Sequence, residues 1–378
     1  MSPRKLVHKL HLYGGLAVLI PLMLIMVTGA ILLFDDEIDR ALNPELFYVS
    51  PQRSPLPLSE LMASVRVYRP DLAVRVVTLP VSADRALKLH STDGIDMFVD
   101  PYTGDLLGQR SRARSFVGII TNLHMYFLLG EAWAVAAGTV ALLAVGMGLT
   151  GIFLWWPRGR LSRALRLPLR GPPRAFIYNA HRTIGFYVSA ILILVGITGA
   201  SIAFPSQRRA IIEGLTGERF STVPPILGRG GQGSTDLDAI LAAARHAVPH
   251  AIPRQIRLQQ GGLAPVRVRA RGPGDPFVNG WTMIYLHPTS HRVLSVEEPT
   301  SAGRIMESWL LHLHLGYWGG IWGEGGSIAT RLIWLASMIA ALGVTFTGPA
   351  IWWIKRRSRR SNLKAARQRH SARSLARP

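Results

Sequence analysis

The chain reads as a mainly α membrane protein: a four-transmembrane-helix bundle from a tandem duplication, with two small α+β modules outside the membrane. Three observations predict this. There are four apolar runs of spanning length, three basic segments without a single acid, and a set of motifs that recurs at nearly constant offsets.

The apolar runs come first. The 378 residues are 48% hydrophobic, yet mean hydropathy is only +0.22, so part of the chain suits lipid and part suits water. The runs are Leu12 to Phe34, Ala132 to Trp156, Phe186 to Phe204 and Ile328 to Ile354. Each approaches the roughly 20 helical residues that cross about 30 Å of hydrocarbon. The first is too long for a cleaved leader and is followed by Asp35, Asp36 and Glu37, so it reads as an anchor. Arg331 is the one charge within any run and sits near an end, where it can snorkel.

The chain then divides in order. Residues 1–34 are a tail and the first span, 35–131 a first external module, 132–156 the second span and 157–182 a basic loop. Residues 183–204 are the third span, 205–326 a second external module, 327–354 the fourth span and 355–378 a basic tail.

Charge orients these segments. The net charge is +21, and residues 1–11, 157–182 and 355–378 carry twenty of those charges with no Asp or Glu. Basic segments on alternate connections are the positive-inside pattern, which puts both termini in the cytoplasm of a bacterial inner membrane. Anionic headgroups account for the tail Lys355-Arg356-Arg357-Ser358-Arg359-Arg360, so membrane lipid is the expected partner and nucleic acid is not. The absence of cysteine excludes disulfides, iron–sulfur clusters, thiolate zinc sites and covalently attached haem.

The repeat relates the halves. At an offset of 170, His11, Gly15, Thr28-Gly29-Ala30 and Phe34 match His181, Gly185, Thr198-Gly199-Ala200 and Phe204. At 197, Thr150-Gly151 and Trp155-Trp156 match Thr347-Gly348 and Trp352-Trp353, and at 190 Leu123-His124 matches Leu313-His314. Each external module reads as a helix (Leu58 to Val67; Leu237 to Ala247) followed by short strands, with turns at Asp100-Pro101-Tyr102-Thr103-Gly104 and His287-Pro288-Thr289-Ser290. The stretch 228–233 spells G-x-G-x-x-G, but Pro224 and Pro225 precede it where a dinucleotide site needs a strand, so it reads as a linker.

The candidate chemistry lies in the histidines. His11 and His181 open spans one and three at the cytoplasmic face; His124 and His314 precede spans two and four at the external face. Imidazoles at membrane helix ends normally have an assigned partner. Two facing across a bundle are a ready axial pair for a b-type haem, which needs no cysteine. Each should be anchored through its other ring nitrogen. Gly15 and Gly185, one turn after their histidines, leave room for a flat ring. His8 and His312 are alternative ligands, although His312 points away from His314 on a regular helix. The remaining histidines read as surface residues, the Trp pairs as interfacial anchors and the Thr-Gly pairs as helix packing.

Together, His11-x3-Gly15, Thr28-Gly29, Asp100-Pro101-x-Thr103-Gly104, Leu123-His124, Thr150-Gly151-x3-Trp155-Trp156-Pro157 and their later echoes resemble the PepSY-associated transmembrane family, over about residues 4–357. Within it the architecture is similar to FoxB-type ferrisiderophore reductases. The resemblance implies two PepSY-like periplasmic domains, two haem b groups held by His11/His181 and His124/His314, and electron delivery to a ferric siderophore in the periplasm. The donor would be a cytoplasmic or quinol reductant. Tyr126, Trp133, Tyr317, Trp318, Trp322 and Glu324 are expected beside the external site. The second module departs from the pattern, with His287-Pro288-Thr289-Ser290-His291 in place of Asp-Pro-x-Thr-Gly. Two other classes are a non-enzymatic membrane protein that binds a periplasmic protease or peptide, and a permease, which the lack of midplane charges disfavours.

Overall fold

The computed structural model describes residues 2–157, 159–168, 171–220, 235–258 and 264–375; the glycine-rich stretch 228–233 lies outside them. The helices in chain order are α1 (Pro3–Leu32), α2 (Asp35–Leu42), α3 (Pro44–Phe47), α4 (Leu58–Tyr68), α5 (Phe116–Tyr126) and α6 (Ala134–Trp155), then α7 (Leu161–Ala164), α8 (Pro173–Ala203), α9 (Pro205–Thr216), α10 (Leu237–Ala247), α11 (Ala302–Leu315) and α12 (Glu324–Leu375). Strands β1 (Val74–Thr78), β2 (Leu87–Ser91), β3 (Ile95–Val99) and β4 (Leu106–Ser111) follow α4. Strands β5 (Ile252–Arg257), β6 (Val266–Arg271), β7 (Thr282–Leu286) and β8 (Val293–Glu297) follow α10.

The chain forms two compact units. One comprises Met1–Ala30, Glu131–Ala203 and Ile333–Pro378; the other comprises Ile31–Gly130 and Phe204–Leu332. The first unit is helical. Four helical stretches among the described residues are long and apolar enough to cross a membrane: Pro3–Leu32, Glu131–Trp155, Pro173–Ala203 and Glu324–Ser361. Small residues let α6 and α8 meet closely. A Cβ on Gly148 would lie 2.7 Å from Ile193, and one on Gly196 would lie 3.0 Å from the Ala141 carbonyl. Such close approach replaces the hydrophobic drive that lipid removes. Trp155, expected at an interface, is instead buried and stacked on Phe186 at 3.6 Å, whereas Trp156 and Trp353 are exposed.

The second unit is built on antiparallel strands. Where the sequence reads as two modules, the strands form one eight-stranded sheet in the order β4-β3-β2-β1-β5-β6-β7-β8. The two four-stranded meanders join through β1 and β5, with Val76 opposite Arg257, Val77 opposite Ile256 and Thr78 opposite Gln255. Each of these strands would otherwise present a row of unpaired backbone groups, and pairing removes both edges. A single core lies on one face, where Val77, Ile256, Val268 and Ile284 align across four strands under Leu61 and Val65 of α4 and Ile240 of α10. Full burial of each aliphatic side chain contributes about 1.5–3 kcal/mol. Asp238 in the first turn of α10 also accepts from the Leu58 and Ser59 amides at 2.8 and 2.9 Å, satisfying free donors at the start of α4.

The turn that departs from the motif keeps its geometry. Asp100 Oδ1 accepts from the Tyr102 and Thr103 amides, and Gly104 has a φ of +77°. In the later turn His287 Nδ1 accepts from the Thr289 and Ser290 amides at 3.3 and 3.2 Å, and His291 takes the left-handed place at +56°. An imidazole lone pair thus stands in for a carboxylate.

Arg331 does not snorkel. It is 4% exposed, donates to Glu37 at 2.7 Å and to the Leu33 carbonyl at 3.1 Å, and lies 4.9 Å from the ring centres of both Phe34 and Tyr317. A buried guanidinium needs these partners, because unpaired charge is costly to desolvate.

Orientation is open to direct measurement. With the basic segments cytoplasmic, reporter fusions after residues 60 and 240 are expected to read as periplasmic and those after 170 and 365 as cytoplasmic. A cytoplasmic signal from 240 would overturn the four-span topology.

Candidate functional site

Two histidine pairs come together, one in each unit. In the helical unit, His11 of α1 faces His181 of α8 with ring centroids 6.3 Å apart and planes inclined at 77°. In the sheet unit, His124 of α5 faces His314 of α11, also at 6.3 Å, with planes at 51°. The four residues paired by sequence spacing are therefore the four that meet. His8 is exposed on α1, and its neighbour His11 holds the facing position.

The separation has chemical meaning. A metal–imidazole bond is about 2 Å and a ring nitrogen lies about 1 Å from its centroid, so two imidazoles on opposite sides of one metal have centroids about 6 Å apart. Both pairs have this spacing. Among the described residues no group of three or more His, Cys, Asp or Glu could hold a metal ion. A two-ligand axial set, with the remaining positions supplied by a macrocycle, is what the imidazoles fit.

Neighbouring threonines fix how the first pair presents its nitrogens. The Thr150 hydroxyl donates to the Gly146 carbonyl at 2.7 Å, so its oxygen accepts from His11 Nδ1 at 2.9 Å. Thr347 likewise donates to the Val344 carbonyl at 2.8 Å and accepts from His181 Nδ1 at 2.9 Å. The proton is thereby held on Nδ1 of both rings, and Nε2 carries the lone pair a metal needs. Gly151 and Gly348 stand beside the same rings; a Cβ on either would lie 3.4 Å from Cε1 of His11 or His181. Gly15 and Gly185 lie against Met147 and Val344. The Thr-Gly pairs thus anchor and clear space for the histidines as well as packing helices, a role that sequence reasoning missed. The available signal was a Thr-Gly pair at matched positions, separated by three residues from the Trp pair, in both spans.

Helix ends position the second pair. Ser115 caps α5 by accepting from the Gly118 amide at 3.0 Å, and Ser301 caps α11 by accepting from the Arg304 amide at 3.4 Å. Each helix carries its histidine in the last turn and ends on a left-handed residue, Phe127 or Gly316, before a short 3-10 turn. Of the aromatics expected nearby, Tyr317 is engaged by Arg331, Trp318 and Trp322 have centroids 5.8 Å apart, and Trp133 and Trp322 are exposed.

His312 points elsewhere, as the helical spacing predicts. It is 2% exposed among Phe277, Trp281 and Trp309, with Nε2 3.7 Å from Asp275. Burial lowers its pKa to about 4, so it is neutral at physiological pH. His314, not His312, faces His124.

Loss of one anchor gives a graded prediction. Thr150→Val is expected to weaken retention of a metal-centred ring at His11/His181 by about 10–100-fold, while Thr150→Ser keeps it. Transfer to an excess haem scavenger measures this, and equal transfer rates for the valine variant and the parent would show that the hydroxyl does not anchor the ligand.

A comparison with curated proteins finds no match. The family model described as the PepSY-associated TM region matches residues 8–355. That span includes all four paired histidines and both threonine anchors, and the chain belongs to the PepSY-associated transmembrane family.

Proposed function

We propose that the chain is a b-type dihaem reductase of the bacterial inner membrane that delivers electrons to ferric siderophore in the periplasm. The observation that carries this reading is the equal 6.3 Å spacing of two histidine pairs, with Nδ1 of the first pair tied to threonine oxygens. His11/His181 would hold one haem and His124/His314 the other. Haem at these places supplies one-electron transfer between a cytoplasmic or quinol donor and Fe(III). Siderophores hold Fe(III) far more tightly than Fe(II), so reduction frees the metal without destroying the chelator. The chain's own residues contribute in three ways. The imidazoles would ligate, Thr150 and Thr347 hold the tautomer of His11 and His181, and the apolar spans exclude water. No side chain needs to move a proton.

The repeated order of helix, four strands and helix supports a tandem duplication and two PepSY-like halves within the shared sheet. Both termini lie in the cytoplasm in this reading. The purified protein should show a Soret band that sharpens on dithionite reduction and a low-spin bis-imidazole spectrum. A preparation from haem-replete cells with no Soret band would instead favour a non-enzymatic membrane protein that binds a periplasmic protease or peptide through the sheet unit.

A further inference from the structure

The face of the sheet opposite the core concentrates positive charge at its centre. Arg257 of β5 stands directly opposite Arg267 of β6. Arg269 lies two residues along the same strand, on the same face. Arg75 and Arg112 add to the repulsion felt at Arg257. Among the described residues none of these five forms an ion pair. Asp96 and Glu297 on this face pair with Lys88 and Arg304, Asp39 of α2 pairs with Arg110, and Asp275, beside Arg269, and Asp96, beside Arg112, offset only part of the cluster's charge. The Nε of Arg257 is buried without a hydrogen-bond partner. Burial, then repulsion from Arg267 and Arg257, pushes Arg269 down to about 10, which still leaves it charged at neutral pH.

Like charges directly opposite in a sheet oppose folding, so this arrangement calls for an anion. Guanidinium forks match oxyanions in pairs. Arg269 also lies 5.8 Å from the Trp281 ring, and Trp281 lines a cavity of about 250 Å³ with Trp309, Asp275 and His312. That volume is below the roughly 300–1,000 Å³ of whole-ligand pockets, and it suits one aromatic arm of a larger molecule.

We propose that this arginine face docks the metal chelate and selects anionic Fe(III) chelates, catecholate or carboxylate in class, over neutral hydroxamate complexes. The assignment rests on the reductase reading for the identity of the metal and on the sheet's charge for the class of chelator. Three catecholates leave a trivalent metal with a net negative charge, whereas three hydroxamates leave it neutral.

Gallium(III) chelates test this without any reduction. The full chain in zwitterionic nanodiscs is titrated calorimetrically with gallium tris-catecholate and gallium tris-hydroxamate. The trianionic complex is expected to bind at least about tenfold more tightly, with affinity falling as salt is raised. The double variant Arg257→Gln/Arg267→Gln should lose about tenfold in catecholate affinity and yet melt at a higher temperature, since repulsion is relieved. Arg75→Gln, at an exposed position, should lose less. Equal affinity for the two complexes, or unchanged catecholate binding by the double variant, would overturn the proposal. So would displacement of the chelate by anionic lipid in the nanodisc, which would assign the face to headgroups. Catecholate selectivity in a preparation that never reduces Fe(III) would sustain the docking surface and remove the reductase.

Discussion

Replacing His181 with alanine is expected to take the protein from two haem b groups per chain to one, read by pyridine haemochrome assay against protein concentration. The loss should be confined to one site because the pairs belong to separate units, His11 and His181 in the helical one and His124 and His314 in the other. A low-spin iron needs both axial imidazoles, and His8, the alternative on the same helix, is exposed while His11 holds the facing position. His11→Ala should behave identically. Circular dichroism and gel filtration distinguish cofactor loss from unfolding. Loss of both haems from a folded variant, or of neither, would show that these residues are not an independent axial pair.

The second large effect separates entry from exit. His124→Ala and His181→Ala should each reduce ferric-siderophore turnover to background, but electrons should stop at different places. His124→Ala protein is expected to be reduced by the physiological donor and to remain reduced when ferric siderophore is added. His181→Ala protein should be untouched by that donor, yet once reduced with dithionite it should be reoxidised by the siderophore. The contrast follows from the proposed topology, in which one pair lies near the basic cytoplasmic ends of the spans and the other beyond their opposite ends. Stopped-flow absorbance follows both reactions. Parental reoxidation rates in a His124→Ala/His312→Ala variant would show that the external pair is not the exit.

Much of this arrangement is legible in the sequence because it depends on properties local to each residue. Span length, basic connections and matched histidine offsets all survive without tertiary context, and His11, His181, His124 and His314 meet as their spacing implies. Three features depend on neighbours from distant segments. Thr150 and Thr347 read as packing residues because a hydroxyl in a span satisfies itself on its own helix, and its second contact, to His11 or His181, comes from another one. The sheet reads as two because β1 and β5 each resemble an edge until they are paired. The arginine cluster is hidden by arithmetic: the external segments are nearly neutral in sum, and only strand register brings Arg257 and Arg267 together while most acids nearby pair with other bases.

The β1–β5 junction also sets a problem for biogenesis. Gln255, opposite Thr78, is 177 residues further along the chain. Between them come two membrane insertions and a basic loop. At about 5–20 residues per second of synthesis, the first meander waits on the order of ten seconds or more with an unsealed edge of Val74, Val76 and Val77. During that interval it is a partner for any passing strand, including the same segment of another nascent copy. A holding factor on that side of the membrane, or slow release of the second half from the insertion machinery, would therefore act on yield through the open edge and not through the finished sheet. Overproduction should fail first through aggregates seeded at β1.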